Sequence, residues 1–350
     1  MGFEELLAGW DGEHAVVRYD AASGAWIVVC VHSTLLGPAC GGTRMRVYPT
    51  PAAGLADAQR LSAAMTRKMA AAGLPRGGGK AVLAVPELPA GEARRRLLRR
   101  YGRLVASLGG SYRTAGDMNV SPQDLDVVAE ICPWVYGTSG RGGDSGRGTA
   151  RGALHAIRAT VERVFGSPDL AGRSVLVQGA GAVGSLLARE LCAAGARVLV
   201  SDLDEARAVA TGCETVPPER ALETPVDVYS PCAVGGILDG ESIPRLACRA
   251  VAGCANNQLA EPRDAERLAE RGILYAPDFV VNAGGVIQLV GLEDEGWDET
   301  QLEERLAGIG DTLRAVFDEA EQEGVTPLEA AERLVRRRLA EAASSDQPAC

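Results

Sequence analysis

One stretch of the sequence constrains the architecture of half the chain: RSVLVQGAGAVGSLLARELCAAGARVLVSDLD. An apolar strand is predicted over Val175–Gln178 and leads into Gly179, Gly181 and Gly184, which are spaced G-x-G-x-x-G. A helix and a second strand follow, and the second strand ends at Asp202. The glycines permit a tight turn, a close approach of a pyrophosphate to the backbone at the helix N-terminus, and close packing of helix on strand.

This order of strand, turn, helix, strand and acidic residue predicts a Rossmann dinucleotide-binding unit. Asp202 can hydrogen-bond both ribose hydroxyls and would repel a 2′-phosphate, so we expect NAD rather than NADP. A glycine-rich turn in an α/β protein that binds no nucleotide is the alternative. The turn residues expected to contact the cofactor are Gly179, Ala180, Gly181, Ala182, Val183 and Gly184.

Composition limits the kind of protein. The chain has 350 residues, enough for two domains, and 46% of them are hydrophobic. Its net charge of -10 argues against nucleic acid or an anionic membrane as a partner. No basic segment followed by an apolar run begins the chain, so no signal peptide is predicted. No stretch approaches the roughly 18 uninterrupted apolar residues of a membrane span.

Cysteine and histidine usage points away from a metal site. The nine cysteines are scattered without a C-x-x-C pair, which favours mostly buried thiols in a reducing, cytoplasmic compartment. The three histidines, His14, His32 and His155, stand beside no evident carboxylate partner in the sequence and are interpreted as structural. Proton transfer is therefore assigned to other residues.

The pattern of predicted helices and strands differs before and after a glycine-rich segment near the middle of the chain. Strands are predicted over His14–Tyr19 and Ala25–His32, and a helix over about Ala52–Ala72. The segment GTSGRGGDSGRGTARG, residues 137–152, is a flexible linker or a mobile hinge or ligand loop. Short apolar strands then alternate with helices, which predicts a parallel sheet covered by helices. The sequence thus predicts an α/β fold.

A nicotinamide enzyme also needs groups that hold the substrate and move protons. The stretch MTRKMAAAGLPRGGGK places Lys68 and Lys80, two of few lysines, in an apolar, glycine-rich setting. Glycines admit close approach of another group, and burial would lower the pKa of Lys80 towards the working range. The stretch TAGDMN places Asp117 just before a helix start. A solvated Lys80 and a capping or turn role for Asp117 remain alternatives.

Seven segments in order resemble the glutamate, leucine, phenylalanine and valine dehydrogenase family. They are GPACGGTRMR, MTRKMAAAGLPRGGGKAV, TAGDMNVSPQDLD, QGAGAVG, PCAVGGIL, VAGCANNQLA and ILYAPDFVVNAGGVI. The resemblance implies oxidation of an L-amino acid with water and NAD to a 2-oxo acid, ammonium and NADH, and the reverse reaction. The phenylalanine branch looks most similar, through WDGE, GILYAPDFVVNAGG and GIGDTLRAVFD.

The resemblance also implies roles for individual residues. Lys80 and Asp117 would be catalytic, and Lys68 would bind the substrate carboxylate. Further substrate-side positions are Asn257, Gly41, Gly42, Cys40, Ala115, Val286 and Leu289. Further cofactor-side positions are Arg44, Ser145, Thr149, Arg207, Ala233, Val234, Ala255 and Asn256. The glycines before Lys80 would let the backbone crowd the reacting carbon.

The expected architecture is two domains around a cleft, an N-terminal α/β substrate domain and a Rossmann-type NAD-binding domain. Residues 1–134 and about 318–350 would form the first, discontinuous domain, and 135–317 the second. A homo-oligomer is expected. Leucine or valine is the alternative substrate, and an inactive NAD-binding regulatory protein is a further alternative. Arg76 lies just before the glycines, where relatives carry an apolar or small polar residue, and leaves glutamate open as a substrate.

Overall fold

The structure, a computed structural model, describes residues 2–140 and 145–345. The described chain divides into two compact units. The first holds residues 2–140, 292–295 and 337–345, and the second holds 145–291 and 296–336. Residues 141–144, in the middle of the glycine-rich segment predicted as a linker or hinge, lie outside the described residues.

The first unit contains a five-stranded mixed sheet in the order β1-β2-β4-β3-β5. Its strands are β1 (His14–Asp20), β2 (Ala25–Ser33), β3 (Ala39–Arg46), β4 (Gly77–Ala84) and β5 (Tyr112–Gly116). Its helices are α1 (Phe3–Ala8), α2 (Pro51–Ala71), α3 (Gly91–Ser107) and α4 (Pro122–Ala129). β2 pairs antiparallel with β1 and β4, whereas β3 pairs parallel with β4 and β5.

Both faces of this sheet are covered, and the side chains alternate between them along each strand. On β4, Ala81 and Leu83 belong to the larger core, which includes residues of α3 and α4. Val82 and Ala84 instead pack with Leu55 of α2. Because Lys80 shares the parity of Val82, it lies on the α2 face of a central strand.

The three glycines before Lys80 form the first half of β4 rather than a loop, and their neighbours are protein atoms. A Cβ on Gly77 would lie 1.9 Å from the Ser33 carbonyl oxygen, and one on Gly78 would lie 2.1 Å from the Thr66 backbone nitrogen. A Cβ on Gly79 would lie 2.7 Å from the Tyr112 ring. These glycines therefore serve the packing of β4 against β2, α2 and β5. That they also let the backbone crowd the reacting carbon stays a prediction.

The second unit contains a six-stranded, wholly parallel sheet in the order β11-β10-β9-β6-β7-β8. Its strands are β6 (Ser174–Gln178), β7 (Arg197–Ser201), β8 (Glu214–Thr215), β9 (Val226–Pro231), β10 (Cys248–Val251) and β11 (Leu274–Tyr275). Its helices are α5 (Gly146–Phe165), α6 (Ala182–Ala193), α7 (Glu205–Ala210), α8 (Asp264–Glu270), α9 (Asp278–Val281), α10 (Gly284–Val290) and α11 (Glu299–Glu323).

Counted from β6, this strand order is 3-2-1-4-5-6, the Rossmann arrangement. Its topological switch point lies between β6 and β9, where ligands bind at the carboxyl ends of the strands. The predicted α/β fold with a Rossmann-type domain is confirmed.

The division of the chain falls later than the predicted 134/135 boundary. Val135 bridges to Thr114, and the Tyr136 backbone N–H donates to the Thr114 carbonyl at 2.8 Å, which ties these residues to the first unit. The return to the first unit comes at residue 337 rather than about 318. Arg163 of α5 pairs with Asp318 at 2.9 Å, so the end of α11 stays with the second unit.

Two segments cross between the units. A π-helical turn, Gly291–Glu295, contributes residues 292–295 to the first unit, and helix α12 (Pro327–Ser345) begins in the second unit and ends in the first. Among residues 2–140 and 145–345, none of the helices has the length and apolar character that crossing a membrane requires.

We expect Gly77→Ala to destabilise the protein, because its Cβ would overlap backbone on the neighbouring strand and backbone cannot rotate away. Overpacking of this kind costs about 1–3 kcal/mol or more, visible as a lower midpoint in thermal or urea unfolding. Gly308→Ala is the matched control, since a Cβ there meets nothing within 4 Å in helix α11. An unfolding midpoint of Gly77→Ala equal to wild type would contradict the packing explanation.

Candidate active site

A buried lysine and a carboxylate meet at the centre of the first sheet. Lys80 lies on β4 and is only 6% exposed, and Asp117 follows the last residue of β5. The Lys80 Nζ atom lies 3.0 Å from the Asp117 Oδ2 atom. The solvated-lysine alternative for Lys80 was therefore wrong.

A second cation shares the same carboxylate oxygen. The Arg44 Nε–H on β3 donates to Asp117 Oδ2 at 2.9 Å, and Arg44 Nη1 donates to Asp57 Oδ2 at 3.0 Å. Asp57 also accepts from the Tyr48 hydroxyl at 2.7 Å and from Arg60 at 2.7 Å. The result is a chain of alternating charges that begins at Lys80 and ends near the surface at Arg60.

Burial and these charges set the protonation of the pair. Burial lowers the pKa of Lys80 below its ordinary value, and Asp117 offsets only part of that effect. Arg44 lowers the pKa of Lys80 further. Burial alone would raise the pKa of Asp117, but the charges of Lys80 and Arg44 hold it below the usual range. The site therefore combines a firmly ionised carboxylate with a lysine that loses its proton more readily than an exposed one.

The other predicted residues of the first unit lie on the same strands or on α2. In the register of β3 and β5, Gly42 lies opposite Ala115, and both Cys40 and Ala115 are buried. Gly41 packs so closely on β4 that a Cβ would lie 1.7 Å from the Gly79 carbonyl oxygen. Lys68 is partly buried in the last turn of α2, the helix that packs on the Lys80 face of β4.

Arg76, which the sequence left unexplained, is itself buried and is held in a partly exposed ion cluster. Its Nη2 lies 2.6 Å from Asp294 Oδ2 and 3.1 Å from Glu295 Oε1, and the Tyr136 hydroxyl accepts from its Nε at 3.3 Å. Arg113 also pairs with Asp294. Two guanidinium groups thus face two carboxylates. The cluster lies beside Cys40, whose thiol pKa burial raises to about 12.

In the second unit, the glycine-rich turn has the geometry that its sequence predicts. Gly179 follows β6 with φ of 105°, and a Cβ on Gly184 would lie 1.9 Å from the Gly179 carbonyl oxygen. Gly181 precedes α6, and a Cβ there would meet nothing within 4 Å. Asp202 accepts from the Ala180 N–H at 2.7 Å, so the acidic residue lies against the turn.

The loop after β9 packs against the glycine-rich turn, and the loop after β10 is hydrogen-bonded to the loop after β9. Gly179 approaches Ala233 so closely that a Cβ would lie 2.7 Å from the Ala233 Cβ, and Val234 beside it is 62% exposed. The Gly236 N–H donates to the Asn257 carbonyl at 2.7 Å, which links the two loops. The predicted positions Ala233, Val234, Ala255, Asn256 and Asn257 therefore follow neighbouring strands at one edge of the sheet.

The remaining predicted positions of this unit lie on helices. Ser145 precedes α5, and its carbonyl accepts from the Thr149 hydroxyl at 2.9 Å. Val286 and Leu289 lie on α10, which packs on the first turns of α5 through glycines. Arg207 on α7 is exposed and pairs with Asp204 at 3.2 Å.

These residues fit a dinucleotide. The turn leaves the space above Gly181 open at a helix N-terminus, where a pyrophosphate is favoured, and Asp202 lies at the end of β7 where the ribose is expected. The buried Asn282, which donates to the Asn256 Oδ1 atom at 3.0 Å, keeps an Oδ1 atom without a hydrogen-bond partner among the described residues. That orphaned acceptor, beside the loop after β10, suits a ligand that brings an N–H donor.

Comparison with known proteins identifies the family. Residues 19–133 match the model of the Glu/Leu/Phe/Val dehydrogenase dimerisation domain, and residues 200–346 match that of glutamate/leucine/phenylalanine/valine dehydrogenase. The chain belongs to this family. As a member, it is an amino-acid dehydrogenase, an oxidoreductase that acts on CH–NH2 groups, and its cofactor is NAD.

Individual members align over almost the whole chain. Valine dehydrogenase of Streptomyces albus is 44% identical, covering 94% of this chain and 93% of its own. Leucine dehydrogenase of Thermoactinomyces intermedius is 39% identical, covering 97% and 94%. The crystal structure of L-tryptophan dehydrogenase from Nostoc punctiforme superposes with a TM-score of 0.84 at 36% identity, covering 98% of this chain and 100% of that one.

Some features of the site were missed by the sequence. The contact of Arg44 with Asp117 was not predicted, and its expected place on the cofactor side stays a prediction. No local pattern pointed to Asp57 or Asn282. His155 was thought to stand apart from any carboxylate, but its Nε2 lies 2.9 Å from Glu303 on α11. These pairs join residues far apart in sequence, so only the fold reveals them. His155 still packs between helices, consistent with a structural role.

Proposed function

We propose that this dehydrogenase oxidatively deaminates branched aliphatic L-amino acids, valine and leucine above all, and catalyses the reverse reductive amination. The products of the forward reaction are the 2-oxo acid, ammonium and NADH. The buried Lys80–Asp117 pair carries the proposal, because a lysine with a lowered pKa beside a fixed carboxylate can transfer protons at the substrate amine and at the attacking water.

Each residue has a role that its chemistry permits. Lys68 binds the substrate carboxylate, and NAD supplies the acceptor for the hydride that leaves the α-carbon. Lys80, as the neutral amine, takes a proton from the water that attacks the substrate iminium carbon. As the ammonium, it stabilises negative charge developing on that oxygen. The positions Gly41, Gly42 and Asn257 remain proposed substrate contacts.

Asp117 acts on the substrate amine only in concert with Lys80. While both Lys80 and Arg44 are charged, the carboxylate is a poor proton acceptor because its pKa is held low. When Lys80 gives up its proton, one of the two neighbouring cations is gone and the proton affinity of Asp117 rises. The two groups therefore titrate as a pair, and the loss of a proton from Lys80 makes Asp117 a better proton acceptor.

The ion cluster at Arg76 argues against glutamate as the substrate. A glutamate side chain needs a free cation for its distal carboxylate, and Arg76 was the one candidate in the sequence. Its guanidinium is 10% exposed and already faces Asp294 and Glu295. The distal carboxylate of a glutamate substrate, placed beside Cys40, would have no free cation to pair with. Burying that charge unpaired would be costly. An apolar side chain meets no such cost.

The choice among apolar substrates rests on the relatives. Valine and leucine are the substrates named for two relatives that match over 93% or more of their own length, and tryptophan is named for a third. The phenylalanine preference expected from the sequence gains no support from them. We therefore favour the alternative, valine or leucine. The dimerisation domain named for residues 19–133 supports a homo-oligomer.

Lys80→Ala should fold, bind NADH as wild type does, and lose turnover by about 10²–10⁴-fold, the usual contribution of an acid–base group. Lys68→Ala is the companion variant and should raise KM for the amino acid, because it removes a contact with the substrate carboxylate. Absorbance of NADH and fluorescence titration give the two readouts. A Lys80→Ala enzyme with near wild-type kcat would show that Lys80 is not the proton-transfer group.

Arg44→Met should move the acid limb of the pH profile of kcat/KM to higher pH. Arg44 lowers the pKa of Lys80, so its removal raises that pKa and the neutral amine appears only at higher pH. Arg60→Met is the control, since in the described structure Arg60 pairs with Asp57 and not with Lys80 or Asp117. Profiles are measured for deamination at saturating NAD. An unmoved limb, or one at lower pH, would count against Lys80 as the titrating base.

A panel of L-valine, L-leucine, L-phenylalanine, L-tryptophan and L-glutamate tests the substrate class. We expect kcat/KM for valine or leucine to exceed that for phenylalanine by about tenfold or more, with glutamate nearly inert. Cys40→Leu should reduce activity on the larger side chains more than on valine. Glutamate or phenylalanine in first place, or an unchanged valine-to-phenylalanine ratio in Cys40→Leu, would refute this assignment while leaving the Lys80 result unaffected.

A further inference from the structure

Two cysteine thiols meet at the surface of the second unit, whereas Lys80 and Asp117 belong to the first. The Cys192 Sγ atom, in the last turn of α6, lies 3.5 Å from the Cys213 Sγ atom, just before β8. Cys192 is exposed and Cys213 is partly exposed. A disulfide bond is about 2.05 Å long, so the two sulfurs need to approach by only about 1.5 Å.

The chain on the Cys213 side has room for this approach. Strand β8 has two residues, lies at the edge of the sheet and pairs only with β7. The preceding Gly212 adopts φ of 74°, and a Cβ there would meet nothing within 4 Å. The turn therefore has open space beside the Gly212 α-carbon.

The other described thiols are less suited to an external oxidant. Cys30, Cys40, Cys132 and Cys254 are buried. Cys232 hydrogen-bonds to Cys254, but the burial of Cys254 shields that pair. Cys248 is partly exposed, and burial raises its pKa to about 12. Among the described residues, Cys192 and Cys213 thus form the thiol pair with both short separation and access.

We propose that Cys192 and Cys213 are a reversible thiol–disulfide site that reacts with small-molecule disulfides such as oxidised glutathione. We take Cys213, which lies beside the open turn at Gly212, as the thiol that reacts first. The Cys213 thiolate attacks one sulfur of the small disulfide and releases one small thiol. Cys192 then loses its proton, attacks the mixed disulfide at the Cys213 sulfur and releases a second small thiol. Two electrons pass from the protein to the oxidant.

The bond would tie the edge strand to the helix that begins at the dinucleotide turn. The closed loop contains β7, Asp202 and α7, so the cross-link restricts the unfolded chain across the cofactor-binding half of the unit. Cys192 lies at the opposite end of α6 from Gly181, roughly 16 Å along the helix at 1.5 Å per residue. We therefore expect oxidation to raise thermal stability by several degrees and to leave kcat and NADH affinity unchanged.

The full-length protein is reduced, incubated with oxidised glutathione, alkylated and mapped by peptide mass spectrometry, with unfolding followed in parallel. Wild type should lose two alkylatable thiols, yield a Cys192–Cys213 cross-linked peptide and unfold at higher temperature, all reversed by dithiothreitol. Cys192→Ser and Cys213→Ser should show neither the cross-link nor the thermal shift. Cys248→Ser is the matched control and should behave as wild type.

Three outcomes would overturn the proposal. One is wild type that accumulates only glutathione adducts without a cross-link. Another is a cross-link that maps to Cys232–Cys254 or joins two chains. The third is a thermal shift that persists in Cys192→Ser and Cys213→Ser, since the bond could not then be its source.

Discussion

The carboxylate of Asp117 is the constraint on which the first unit depends. Lys80 lies on a central strand covered on both faces, where an ammonium without a partner would be costly. Asp117 supplies that partner at 3.0 Å and also binds Arg44, so β3, β4 and the end of β5 must be held at hydrogen-bond distance. Gly41 and Gly79 permit this, because a Cβ on either would overlap its neighbours. These glycines therefore allow the strands to come close enough for the charge cluster to form.

The same sheet carries a second ion cluster with a different chemical character. Around Asp117, one of the two cations is a lysine, which can lose its proton. Around Asp294, both cations are arginines, Arg76 and Arg113, which do not deprotonate in proteins. The first cluster can therefore move protons, whereas the second holds a fixed charge pattern. Its role is to anchor residues 292–295 in the first unit and to neutralise the surroundings of Cys40.

What the sequence predicts well is local. The strand, glycine turn, helix and Asp202 lie within about thirty residues, and the structure reproduces their relations, down to the contact between Gly184 and the Gly179 carbonyl. Lys80 was singled out by its apolar, glycine-rich setting, and it is buried. The partners of Arg44 and Arg76 were missed because they depend on topology. Asp117 is 73 residues from Arg44, and Asp294 is 218 residues from Arg76. The packing role of the glycines before Lys80 was missed for the same reason, since their neighbours belong to β2, α2 and β5.

We expect the charge of a substrate side chain to affect binding more strongly than its size. The charge of Arg76 is already neutralised by Asp294, so a distal carboxylate placed beside Cys40 would be buried without a counter-charge. We therefore expect the binding of glutamate to be disfavoured. Among apolar side chains the discrimination is weaker, since one methylene changes it by only about 1–3 kcal/mol. Cys40 and Ala115, two of the proposed substrate-side positions, are small and buried, so they would limit the volume of the side chain without imposing a polar contact. On the proposed assignment, we expect this enzyme to reject glutamate firmly and to discriminate among valine, leucine and larger apolar amino acids by how well each side chain fits.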